Sequence, residues 1–124
     1  MKLYESAENY LERILMLKEK NEKVRSIDIA LDMNFTKASI SRAMKNLKQN
    51  EFIVIDKEGY IDLTNKGLLI AKNMLERHRL LTTFLIKLGV PSNIAADDAC
   101  KIEHDLSEDS FKAIKNHFKN IKAK

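Results

Sequence analysis

Only three glycines and one proline interrupt 124 residues, and this scarcity of chain breakers is what most restricts the fold. Glycine and proline end helices and form tight turns. Here they fall at Gly59, Gly67 and Gly89-Val90-Pro91. Between those points apolar residues recur mostly three and four apart, the period of helices with one buried face. The first helix is expected over about residues 5–21, with Ala7, Tyr10, Leu11, Ile14 and Leu17 on one side and Glu5, Glu8, Asn9 and Glu12 on the other. Ser26 is placed to cap a short helix through Met33, and Thr36 to cap a third that repeats Ile40, Ala43, Met44 and Leu47. Two short helices joined by a few residues make a helix-turn-helix.

The period then changes. Phe52-Ile53-Val54-Ile55 and Tyr60-Ile61-Asp62-Leu63 flank Asp56-Lys57-Glu58-Gly59, which predicts a hairpin, or wing. Thr64 is placed to cap a long helix from about Asn65 to Leu88, with Ala71, Leu75, His78, Leu81, Thr82 and Leu85 on one stripe. Gly89-Val90-Pro91 breaks it. Ser92 restarts a helix expected to reach about Leu106, and Ser107 caps a last one carrying Phe111, Ile114 and Phe118. A frayed end is expected at Lys122-Ala123-Lys124. The reading is a mainly α chain: an N-terminal winged helix-turn-helix over residues 1–70, then an α-helical domain over residues 71–124.

Composition narrows the function. Lys and Arg outnumber Asp and Glu by 22 to 18, a formal charge of +4 that suits a nucleic-acid partner without requiring one. No apolar run approaches the roughly 20 residues of a membrane span, and residues 1–10 carry neither a hydrophobic signal core nor a cleavage-like site. A cytoplasmic protein with no membrane partner is expected. The single cysteine, Cys100, cannot close an intramolecular disulfide and is available for other chemistry.

Opposite its apolar stripe, the third helix carries Ala38, Ser41, Arg42, Lys45 and Gln49, with Thr36, Lys37 and Ser39 at its N-terminal end. Small and polar side chains can approach base edges, and the cations can meet phosphates. Any exposed face in a basic protein has some of this character. What singles this one out is the order of short helix, turn, polar-faced helix and hairpin in one block. Lys57, at the wing tip, is either a phosphate contact or a solvated turn residue.

Cys100-Lys101-Ile102-Glu103-His104 sets a thiol, a carboxylate and an imidazole at i, i+3 and i+4, neighbours on one helix face within reach of a single ion. A packed thiol beside a surface ion pair would have the same spacing. His78 interrupts the apolar stripe of the long helix, where an imidazole needs a partner. Glu12 and Asn9 add oxygen donors on the polar side of the first helix. These residues form a metal site only if distant helices converge.

In its ordered pieces the chain resembles the metal-dependent repressors that include the diphtheria toxin repressor, the iron-dependent regulators and the manganese transport regulator. The pieces are Glu8-Asn9-Tyr10-Leu11-Glu12, Asp28-Ile29-Ala30, Ser39-Ile40-Ser41, Leu63-Thr64-Asn65-Lys66-Gly67, Arg77-His78-Arg79-Leu80-Leu81 and Ile102-Glu103-His104-Asp105-Leu106-Ser107. The resemblance implies a homodimer whose winged helices read a palindromic double-stranded operator when a divalent metal is bound, with residues 1–70 as the DNA-binding domain, its first helix also contacting the metal site, and residues 71–124 as an α-helical metal-binding and dimerisation domain. By position it assigns Glu103 and His104 to ligands used throughout the family. Cys100 matches the iron-type branch, where the manganese-type branch has glutamate, while Glu12 and His78 match manganese-type ligands. Asn9 stands where the branches have methionine or aspartate and offers a neutral amide oxygen. Thr82 and Ala96 replace ligands of the iron-type ancillary site, and the chain ends before the extra C-terminal domain, so a full ancillary site is not expected.

A thiolate with imidazoles and carboxylates suits Fe²⁺, Co²⁺ or Zn²⁺ better than Mn²⁺, and Fe²⁺ is the favoured expectation. The function expected is that of a metal-responsive regulator, a repressor rather than an enzyme, with no small-molecule substrate. The alternative is a winged-helix regulator with a degenerate metal site, which Asn9, Thr82 and Ala96 would favour. A metalloenzyme built on His78, Cys100, Glu103 and His104 would leave the helix-turn-helix unexplained and lacks a nucleophile motif or phosphate cradle.

Overall fold

The computed structural model describes the backbone of residues 5–123 and the side chains of residues 6–119. It divides into two compact units, residues 1–73 and 74–124.

In the first unit, α1 (Glu5–Lys20), α2 (Ser26–Met33) and α3 (Lys37–Gln49) precede a hairpin of β1 (Ile53–Ile55) and β2 (Ile61–Leu63). The strands are antiparallel, pairing Ile53 with Leu63 and Ile55 with Ile61. The residues just before α2 extend this small sheet: Ile61 N–H donates to Val24 O at 2.7 Å, and Arg25 bridges Tyr60. That third edge has no alternating pattern of its own and went unread in the sequence. Leu11, Ile14, Val24, Ile29, Ile40, Met44, Leu47, Phe52, Ile53 and Ile61 are buried together. Their spacing along α1 and α3 is the helical repeat expected from the sequence, and each fully buried Ile or Leu contributes about 1.5–3 kcal/mol.

Local chemistry sets the helix ends. Thr36 Oγ1 accepts from Ser39 N–H at 3.2 Å and starts α3 as expected. Ser26 does not cap α2. It is the first helical residue, and Asp28 instead reaches back to accept the Arg25 N–H at 2.8 Å. Asn34, in the left-handed region at φ 59°, closes α2 and turns the chain toward α3. Asparagine tolerates that conformation better than most residues. The wing turn uses Gly59 at φ 87°, with Asp56 Oδ1 accepting from the Glu58 and Tyr60 N–H groups.

Helix α4 (Asn65–Lys87) runs through the division between the units. Thr64 Oγ1 accepts from Gly67 N–H at 3.1 Å, and the glycine is required because a Cβ there would lie 2.0 Å from Phe52 O. The second unit contains the rest of α4, α5 (Ser92–Ile102) and α6 (Glu108–Ala123). Gly89, at φ 108°, ends α4, and Ser107 Oγ accepts from Ser110 N–H to start α6. Helix α5 is shorter than expected: it stops at Ile102, and residues 103–105 form a turn. Helix α6 continues through Ala123, so fraying is not seen at 122–123, while Lys124 lies outside the described residues. Met74, Leu75, Leu81, Ala95, Ala99, Phe111 and Phe118 are buried, and Phe84 meets Phe118 edge to face at 6.4 Å. Among the described residues, no helix is long and apolar enough to cross a membrane.

Candidate functional site

Two surfaces carry the chemistry. On α3, Ile40, Met44 and Leu47 are buried, which turns Lys37, Ser41, Arg42 and Lys45 to the exterior. Thr36 is exposed and Ser39 half-buried at the start of the helix, and Lys57 is exposed on the wing. Beside the wing, Lys23 and Arg25 lie over the Tyr60 ring, at 4.8 and 4.4 Å from its centroid. These two cations were not among the residues singled out in the sequence. Only the unread sheet edge at Val24 and Arg25 brings them there.

The second surface is a buried polar cluster in the C-terminal unit. Glu103 follows the last residue of α5 and keeps helical backbone angles, its N–H donating to Ala99 O at 2.9 Å. The i, i+3, i+4 relation therefore survives although α5 itself has ended. Donor atoms of Cys100, Glu103 and His104 lie within 4.8 Å of one another. Metal–ligand bonds of about 2.0–2.3 Å would close that spread with little movement.

From α4, His78 Nδ1 comes to 3.2 Å from Glu103 Oε2, and His104 Nε2 lies 3.4 Å from Glu103 Oε1. The Glu103 side chain is 0% exposed, and neither of its oxygens accepts a hydrogen bond from any described residue. A buried carboxylate without donors is strongly unfavourable unless a cation compensates it. Imidazole nitrogens approach both oxygens, and the half-buried Cys100 thiol sits alongside. Nitrogen, oxygen and sulfur donors of Cys100, Glu103 and His104 thus face one another, with the His78 imidazole at the other carboxylate oxygen, and the donor set fits a divalent transition metal.

The remaining sequence candidates are described one by one. Glu12, on α1, is buried at 3% exposure, and Asn9 is half-buried on the same helix. Thr82 Oγ1 donates to His78 O at 2.7 Å, so this hydroxyl is used within α4. Ala96 has no donor group to offer. One buried charge escaped the sequence reading: Arg77, 5% exposed, next to His78. Its position three residues after Met74 and four before Leu81 lies on the buried stripe, and that was the available signal.

A helix-turn-helix with a wing, joined to a helical unit holding a sulfur, nitrogen and carboxylate cluster, defines a class of metal-responsive winged-helix regulators. Comparison with known proteins agrees. Residues 2–61 match the iron dependent repressor N-terminal DNA binding domain, and residues 64–124 match the iron dependent repressor metal binding and dimerisation domain. The chain belongs to this family of transcriptional regulators. It is 32% identical to an uncharacterised HTH-type transcriptional regulator of Methanocaldococcus jannaschii, covering 97% of this chain and 98% of that one. It is 36% identical to the HTH-type transcriptional regulator MntR of Listeria welshimeri, over 90% and 78% of the two chains. Among solved structures, the manganese regulator SloR matches with a TM-score of 0.81 at 27% identity, over 91% of this chain and 53% of that chain. A manganese-dependent transcriptional repressor in complex with manganese also matches at 0.81, with 28% identity, over 90% and 51%. The chain spans about half the length of these two solved regulators.

Proposed function

We propose that this protein is a metal-responsive transcriptional repressor that binds a palindromic operator as a homodimer when loaded with a divalent transition metal. The observation that carries the reading is Glu103, a fully buried carboxylate whose oxygens have no hydrogen-bond donor among the described residues and face two imidazoles. His78, Cys100, Glu103 and His104 are the ligands of this proposal. Family resemblance adds Glu12 and Asn9 as oxygen donors from α1, and the deep burial of Glu12 agrees with a paired or ligating carboxylate. A bound ion would supply the positive charge that Glu103 lacks. Cys100 brings a soft sulfur to the set, which favours Fe²⁺ over Mn²⁺. The manganese named for SloR belongs to that protein.

On the DNA side, Lys37, Ser39, Ser41, Arg42 and Lys45, with Thr36 at the helix start, form the face assigned to the major groove, and Lys57 is assigned to a phosphate. In a homodimer the two α3 helices would occupy half-sites about 34 Å apart or a multiple of that. Linkage connects the two activities: if metal-loaded protein favours the DNA-binding arrangement, about 1.4 kcal/mol of coupling gives a tenfold gain in operator affinity.

The test is to select an operator from a random duplex pool with metal-loaded protein, then titrate it with and without Fe²⁺, Mn²⁺ and Zn²⁺. Affinity should rise at least tenfold with metal, most with Fe²⁺. Cys100→Ser should lose that gain while keeping weak, salt-sensitive binding. Equal operator affinity with and without metal would defeat the reading.

A further inference from the structure

Arg77 is the one buried cation of the C-terminal unit among the described residues, and it binds backbone rather than the ligand cluster's side chains. Its Nη1 donates to Glu103 O at 2.9 Å and to Leu106 O at 2.6 Å. Its Nη2 donates to Glu108 Oε2 at 3.1 Å, and the guanidinium lies over the Phe111 ring, 5.1 Å from the centroid. One planar fork therefore fixes the turn that follows α5, the start of α6 and the aromatic residue behind them. The last carbonyls of a helix have no partner within it. Arg77 satisfies the carbonyl of the very residue whose carboxylate is the centre of the cluster.

We propose that Arg77 is the positioning residue of the metal site, fixing Glu103 and His104 relative to His78 so that their donor atoms converge before any ion arrives. Three features carry this. Arg77 and His78 are adjacent on α4, so the element that presents one ligand also grips the backbone of the facing ligand. The grip falls on Glu103 itself, and His104 lies between the two carbonyls it holds. Finally, α5 has ended at Ile102, and while the turn carrying both ligands closes locally, with the Asp105 and Leu106 N–H groups donating to Ile102 O at 3.0 and 3.2 Å, its Glu103 and Leu106 carbonyls are tied to α4 by this guanidinium. Lysine could not do the same, because a single ammonium does not reproduce the planar fork that reaches two carbonyls and a carboxylate together. Groups that hold and orient ligands typically tune metal affinity by about 10- to 100-fold.

This role rests on the metal reading above, and Co²⁺ binding to the full chain separates the two. Cobalt reports both affinity and geometry through its visible bands and its thiolate charge-transfer band. Wild-type protein should bind Co²⁺ with a thiolate band. Arg77→Met keeps the aliphatic stem and removes the fork; it should bind Co²⁺ about 10- to 100-fold more weakly, with altered visible bands. Arg77→Lys, which keeps charge and packing, should fall between the two and decides the matter if Arg77→Met does not fold. A residue serving only as a helix staple would lower the melting temperature of metal-free protein and leave the Co²⁺ affinity and bands of the folded variants unchanged. That result would overturn the proposal. A wild-type chain that takes up no Co²⁺ would instead overturn the metal reading itself.

Discussion

Residues 6–73 bury Leu11, Ile14, Ile29, Ile40, Met44 and Phe52 with a single buried charge, Glu12, whereas residues 74–119 bury Arg77 and Glu103 with the His78 and His104 imidazoles close by. The first unit obtains its stability mainly from apolar area, which needs no partner. The second places ionisable groups where apolar ones would cost less. Buried ionic clusters are weak sources of stability. Their presence in so small a unit points to binding, and the same residues make that unit's stability depend on what occupies it.

The difference can be broken by mutation. Ile40, fully buried on α3, should cost about 2–5 kcal/mol when changed to alanine. Thermal unfolding should show the same loss with and without metal; a loss that metal repairs would blur the division between the units. Glu103→Gln removes the carboxylate but keeps its volume. Metal-free protein should lose little stability, since a buried charge has gone. The stabilisation by metal, about 2.7 kcal/mol at a hundredfold excess over Kd, should vanish. In unmodified protein that stabilisation should shrink as pH is lowered, because protons compete for the thiolate, imidazole and carboxylate ligands. A metal-induced shift that survives Glu103→Gln would remove the centre from the cluster.

Smaller changes sharpen the contrast. Thr36→Ala deletes the acceptor for Ser39 N–H and should cost about 1 kcal/mol, read by chemical denaturation, with operator binding weakened and metal affinity unchanged. Lys57→Ala should leave stability alone and lower the slope of log affinity against log salt by about one. An unchanged slope would return Lys57 to an ordinary turn residue.

Much of the first unit was legible because local rules govern it. The apolar repeats of α1 and α3, the Thr36 and Thr64 caps and the Gly59 turn each follow from neighbouring residues. Ser26 misled because two capping solutions compete there, and Asp28, at the third helical position, won by accepting the Arg25 N–H. The sheet edge at Val24 and Arg25 was hidden because its partner, around Tyr60, is remote in sequence. In the second unit, spacing brought Cys100, Glu103 and His104 together and His78 stood out on an apolar stripe. The grip of Arg77 could not be read, since it depends on hydrogen bonds spanning 26–31 residues.

The central claim is that His78, Cys100, Glu103 and His104 hold one ion. X-ray absorption at the zinc edge of Zn²⁺-loaded protein tests it most directly. The account predicts one sulfur at about 2.3 Å and nitrogen and oxygen neighbours at about 2.0–2.2 Å, with the sulfur shell lost in Cys100→Ser and a nitrogen removed in His78→Ala. A shell without sulfur, unchanged by either substitution, would contradict it.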